Sequence, residues 1–116
     1  MTYALRWTES GRAQYDALKA EAKHSRASRM VRGKKKSTRS EGLFKQLLKA
    51  LNHLQKNPKH PGLHSHEFDS LDHPYHKGEK VWESYIQNQT SGAYRLFWCY
   101  GKEVGELTIL AITPHP

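Results

Sequence analysis

The chain has a single cysteine, Cys99, among its 116 residues. No disulfide can form within it, so a small oxidised scaffold is excluded. Cys99 stands inside the apolar run YRLFWCY, which predicts a buried thiol and a reducing, cytoplasmic setting. No apolar run is long enough to span a bilayer, and the opening MTYALRWTESGR has no apolar stretch of the secretory kind. No segment repeats, which leaves solenoids and propellers out. Metal-ligand spacing is missing as well. The run HSHEFD at residues 64–69 approaches a His-x-His-x-Asp-His pattern, but Phe68 stands where the aspartate belongs and no histidine follows Asp69. His73 and His76 lie in a proline-containing turn and read as loop residues rather than zinc ligands. We expect neither a metal nor another cofactor.

Acidic residues are scarce in one half. Residues 1–40 hold eleven Lys or Arg against three acids, 41–63 hold four against one, and 64–116 hold four against seven. The formal net charge of +8 therefore belongs to the first half. Its densest part contains eight bases and no acid: Lys23, Arg26, Arg29, Arg32, Lys34, Lys35, Lys36 and Arg39. Such a concentration favours a polyanionic partner there, nucleic acid or an acidic protein. A basic, flexible segment around residues 32–40 can hold phosphates by counterion release without becoming ordered.

What remains is enough for one domain over residues 1–116. TYALRWT carries β-favouring Tyr3, Trp7 and Thr8 and predicts a first strand. Thr8 or Ser10 then caps a helix whose stripe is Ala13, Ala17, Leu18 and Ala22, ending near Gly33. Ser40 caps a second helix with Leu43, Phe44, Leu47, Leu48, Leu51 and Leu54 at helical spacing, stopped by Asn57-Pro58. Strands follow in HSHEFDSL, EKVWESYIQN, AYRLFWCYG and GELTILAIT, the last two as a hairpin. The order is one strand, two helices, then an antiparallel meander of three to four strands, which is an α+β fold. Pro114 and Pro116 fence His115 and predict that pairing stops before it.

That order, with KVWESYIQNQTSGAYRLFWCYG and ELTILAITPHP, resembles the RelE/ParE superfamily of toxin–antitoxin toxins. The likeness extends over most of the chain in topology and over about residues 62–116 in sequence. It implies a RelE-like fold, an acidic antitoxin partner and no membrane. It also implies a metal-independent endoribonuclease acting on messenger RNA at the ribosome and leaving a 2′,3′-cyclic phosphate. By the same resemblance Arg95 is the phosphate clamp, suited to it by the guanidinium fork. His115 matches the family's C-terminal histidine and is the general acid. His64 and His66 share one strand face and supply a base, while Glu83 and Tyr85 on the next strand orient or supplement them. Two other functions remain open on this sequence: a ParE-like inhibitor of a topoisomerase without chemistry, and a non-catalytic nucleic-acid-binding protein on the same fold. Bland roles compete too. Arg95 can pair with a carboxylate of the acidic half, His115 can be a terminal tail, and Trp82, Phe97 and Trp98 read first as core residues and only second as stacking platforms for bases.

Overall fold

Two capped helices and one mixed sheet make up the computed structural model, which describes residues 2–88 and 90–115. Strand β1 (Ala4–Trp7) leads into helix α1 (Glu9–Val31), and α2 (Arg39–Lys56) follows. A single 3-10 turn at Pro61–Leu63 precedes β2 (His66–Glu67), β3 (Trp82–Tyr85), β4 (Tyr94–Tyr100) and β5 (Glu106–Pro114). In space the strands run β1-β5-β4-β3-β2, with β2 to β5 forming the antiparallel meander. β1 adds to β5 in parallel, so the α+β fold closes on a mixed sheet.

The start of α1 shows why this helix sits where it does. Thr8, not Ser10, is the N-cap, and its hydroxyl oxygen accepts from the Gly11 amide at 3.0 Å. The same hydroxyl donates to the Leu110 carbonyl at 3.0 Å, and the Gln14 side-chain oxygen accepts from the Ile112 amide at 2.7 Å. Both contacts fall where the β4–β5 register shifts between Phe97 and Trp98, so helix side chains satisfy backbone groups at the irregularity. Gly11 is needed for that approach: a Cβ there would lie 2.5 Å from the Ile109 carbonyl oxygen. Its position also sets the phase of the helix. The inward face runs through Gly11, Tyr15, Leu18 and Ala22, and Ala13 and Ala17 of the expected stripe are exposed.

Helix α2 is capped two residues earlier than expected. Thr38 accepts from the Glu41 amide while the Glu41 carboxylate accepts from the Thr38 amide at 2.6 Å, a reciprocal capping box. Ser40 instead donates to Glu21 across the helix pair at 3.0 Å. Leu47, Ala50, Leu51 and Leu54 are buried, whereas Leu48 is 45 % exposed and leaves the stripe. The buried leucines pack on Leu96, Trp98, Leu107, Ile109 and Ile112 from one face of the sheet. Val81, Phe97, Cys99 and Leu110 form a smaller cluster on the other face, where Phe68 partly covers them. Burial pushes the Cys99 thiol up to about 11, so it is a packing residue and not a nucleophile.

The strand expected over HSHEFDSL keeps only His66 and Glu67. Past Phe68, whose amide donates to Val81, the chain becomes an irregular loop stapled by His73. One nitrogen of His73 accepts from the amides of Tyr75 and His76, and the other donates to the Tyr100 carbonyl at 3.0 Å. Among the described residues no helix is long and apolar enough to cross a membrane.

Candidate active site

Strand register decides which side chains meet. His66 lies opposite Glu83, Glu83 opposite Phe97, and Tyr85 opposite Arg95. Directly opposed residues share a face, and alternation adds Glu83 to Tyr85, so His66, Glu83, Tyr85 and Arg95 gather on the face turned away from the helices.

Within that group His66 and Glu83 share a proton. The Nδ1 of His66 is 3.1 Å from the His64 carbonyl oxygen, which can only accept, so Nδ1 carries a hydrogen. Nε2 lies 2.6 Å from a carboxylate oxygen of Glu83. That contact needs one more proton, placed either on the ring or on the carboxyl. The His66 side chain is half exposed and the Glu83 side chain is buried beneath it.

Arg95 lies deeper still, 7 % exposed, with its guanidinium carbon 3.7 Å from the centroid of the Tyr85 ring. Nη1 donates to the Gln87 carbonyl. Nε stands 3.9 Å from the second carboxylate oxygen of Glu83, close enough for attraction and too far for a hydrogen bond. These two facing atoms are the buried side-chain polar atoms without a hydrogen-bond partner among the described residues. Leaving a buried polar group unpaired costs about 1–3 kcal/mol, so native structures keep few of them. The ion pair anticipated for Arg95 is therefore present but unfinished.

His64 is exposed in a left-handed conformation with φ 49°, its ring centroid 5.2 Å from that of Tyr85. His115 departs from expectation in its backbone. Its amide donates to the Ala93 carbonyl at 2.7 Å, so pairing runs through Pro114 and does not stop before it. Antiparallel ladders use every second residue of a strand toward a given neighbour. Pro114 occupies a position whose missing donor would point away from β4, and β1 ends far short of it, opposite Ile109. Continued alternation places His115 on the face of Thr113, hence of Arg95. Pro116 lies outside the described residues.

Of the eight bases in the first half, Lys23, Arg26, Arg32, Lys34, Lys35, Lys36 and Arg39 are exposed. Arg29 is not one of them in function. Its Nε lies 2.8 and 2.9 Å from the two Glu41 oxygens, and Nη1 donates to the carbonyls of Lys34 and Lys35. The Arg29 hydrogen bond is the main reason that the Glu41 carboxyl is held below its ordinary range. Arg29 thus ties the end of α1 to the start of α2 and is spent there. Arg39 and Ser40, expected in a loose segment, belong to α2.

One feature near the site escaped sequence reasoning. His53 of α2 and His60 stack with centroids 3.9 Å apart, and burial, with His60 and Lys49 beside it, pushes His53 below the usual histidine range. The signal available was only that His53 lies on the helix's apolar side.

No protein-family model matches the chain, and no curated protein matches it. Solved structures do. A YoeB/ParE toxin from Agrobacterium tumefaciens superposes with a TM-score of 0.60 at 11 % identity, over 97 % of this chain and 98 % of that one. An archaeal RelE–RelB complex from Pyrococcus horikoshii OT3 gives 0.56 at 12 % identity, over 98 % and 96 %. A copper-bound mutant toxin from Helicobacter pylori gives 0.52 at 18 % identity, over 97 % and 94 %. At these identities the likeness shows the fold alone, which this chain shares with those toxins.

Proposed function

We propose that the chain is the toxin of a type II toxin–antitoxin pair and an endoribonuclease that cleaves messenger RNA, with its centre at His66, Glu83, Arg95 and His115. The observation that carries this reading is the unfinished Arg95–Glu83 pair beneath a proton-sharing His66. The cluster sets a cation beside a histidine and a carboxylate, with one guanidinium donor still open to an acceptor. An entering phosphate oxygen supplies that acceptor.

The chemistry then follows from proton bookkeeping. The His66–Glu83 pair, once it has lost its shared proton, takes the proton of the ribose 2′-OH. O2′ attacks phosphorus, the bond to O5′ breaks, and His115 protonates the leaving oxygen. Arg95 offsets the charge that grows on the phosphorane, with Tyr85 holding the guanidinium plane from below. The products are a 2′,3′-cyclic phosphate and a 5′-hydroxyl, with no metal in any step. His64 flanks this centre and serves substrate contact.

The exposed bases around the α1–α2 turn attract the RNA backbone without reading sequence, at the ribosome or off it. A RelE protein is solved with RelB, and an acidic antitoxin is the corresponding partner here. The reading places the protein in the cytoplasm, where its substrate is. The test is to induce the protein in cells and map messenger 5′ ends. New ends that appear on induction, and not with His66→Ala, support the reading. Arrest of growth with intact messages and inhibited topoisomerase points to a ParE-like binder instead.

A further inference from the structure

On the helix-bearing face of the sheet, opposite to that of Arg95, lies a cleft of about 280 Å³ walled by Trp82, Trp98 and Tyr100 on one side and by the Pro58–Pro61 turn on the other. We infer that this cleft takes an unpaired base of the same RNA strand whose phosphate meets Arg95, the strand passing from one face of the sheet to the other at His64. The inference rests on the ribonuclease reading for the identity of the strand, and on the following features for the site itself.

The walls are flat and fixed. Trp82 and Trp98 stack within 19° of parallel with centroids 6.0 Å apart, and Tyr100 meets Trp98 edge-on at 5.2 Å. Trp98 is held from behind, because its indole N–H donates to Ser84 at 2.8 Å and Ser84 pairs with Ser65 at 2.6 Å. The half-buried Trp82 and the 39 %-exposed Tyr100 leave aromatic surface open to the cleft. Its charge suits a nucleotide: Lys59 and His64 line it, and no carboxylate does among the described residues. Its volume is below the roughly 300–1,000 Å³ of drug-sized pockets, which fits one planar ring system rather than a peptide segment. Unpaired bases are read by stacking on such side chains, and a nearby lysine meets the phosphate. His64 joins the two sites, since it lines the cleft while its ring lies 5.2 Å from Tyr85, the residue under Arg95.

The test uses the parent protein and a 2′-O-methyl pentaribonucleotide, which lacks the attacking hydroxyl and stays intact, beside the same backbone without bases. The chain has three tryptophans, so indole N–H resonances report position directly. We expect the base-bearing oligomer to shift Trp82 and Trp98 and leave Trp7, which packs on Tyr15, unmoved. The baseless backbone should bind on the order of tenfold more weakly. Lys59→Ala should weaken both oligomers alike, and Trp82→Leu should remove the difference between them. Equal affinity for the two oligomers, or shifts confined to Trp7, overturn the inference. A parent that prefers the base-bearing oligomer but cuts no message keeps the cleft and loses the ribonuclease. A parent that cuts messages yet binds both equally loses only the cleft.

Discussion

The two charged regions of this molecule are built on opposite plans. On the open sheet face a few charged groups are buried and held by neighbours, with Glu83 at 3 % and Arg95 at 7 % exposure. Around the α1–α2 turn many charges of one sign stand in solvent, and the exception, Arg29, is spent on Glu41. Buried charges interact strongly and in one geometry, which is what moving a proton or steadying a phosphorane requires. Exposed like charges are screened beyond about 10 Å at 0.1 M salt and fix no geometry, which is enough to gather a polyanion. On the proposed reading, chemistry belongs to the face and attraction to the turn.

The comparison breaks most visibly at Arg95. Arg95→Met leaves Glu83 buried with His66 but without its cationic neighbour, and losing one member of a buried ion pair costs up to about 3–5 kcal/mol. We expect a marked loss of thermal stability together with loss of cleavage. Glu83→Gln in the same chain should restore much of the stability and none of the activity, as melting curves and cleavage assays on the three proteins will show. Activity returning with stability would reduce the pair to a structural contact.

His115 sharpens the same side. His115→Ala should leave the melting temperature nearly unchanged, since the residue is exposed at the end of β5, and should cost on the order of 10²–10⁴-fold in rate. His115→Gln should behave alike, because it keeps hydrogen bonding and lacks a transferable proton. Cleavage by both variants at the parent rate removes His115 from the mechanism.

At the turn the expected effects are smaller and graded. Neutralising Arg32, Lys34, Lys35 and Lys36 together should flatten the slope of log affinity for RNA against log salt by about 3–4, leaving cleavage of bound RNA intact. Arg29 is left out of that set, because its loss would unfasten the turn instead. An unchanged slope would move the RNA footprint elsewhere.

The smallest effect belongs to the capping box. Glu41 has its folded pKa depressed by Arg29, so its contribution is present above the ordinary carboxylate value of 4.5 and is lost as pH falls through the folded value. Glu41→Gln should therefore lower the melting temperature at pH 7 and match the parent in acid. Curves that stay apart at low pH would contradict the assignment.

Much of this was legible in the residues themselves. β4 and β5 are long apolar runs bounded by glycine, and α2 carries leucines at helical spacing, so their elements followed from pattern alone. Alternation was sufficient to put Glu83 and Tyr85 on one face. The phase of α1 was not legible, because five alanines give no preference and Gly11 decides it through a backbone of another element. Thr38 with Glu41 three residues on was a readable capping signature, and Ser40 drew attention from it. Arg29 looked like its neighbours, since nothing local distinguishes an arginine that will fold back on two carbonyls and a carboxylate. The burial of Arg95 depends on β3, loop and register together, and no short stretch contains that information.

The central claim is that the buried cluster under His66 is a ribonuclease centre. Its most direct test is single-turnover cleavage of a defined message on programmed ribosomes, with the 3′ ends of the fragments identified, for the parent and for His66→Ala. The account predicts 2′,3′-cyclic phosphate ends with the parent and a rate lower by on the order of 10²–10⁴-fold with the variant. An intact message with the parent, or equal rates for the two proteins, would contradict it.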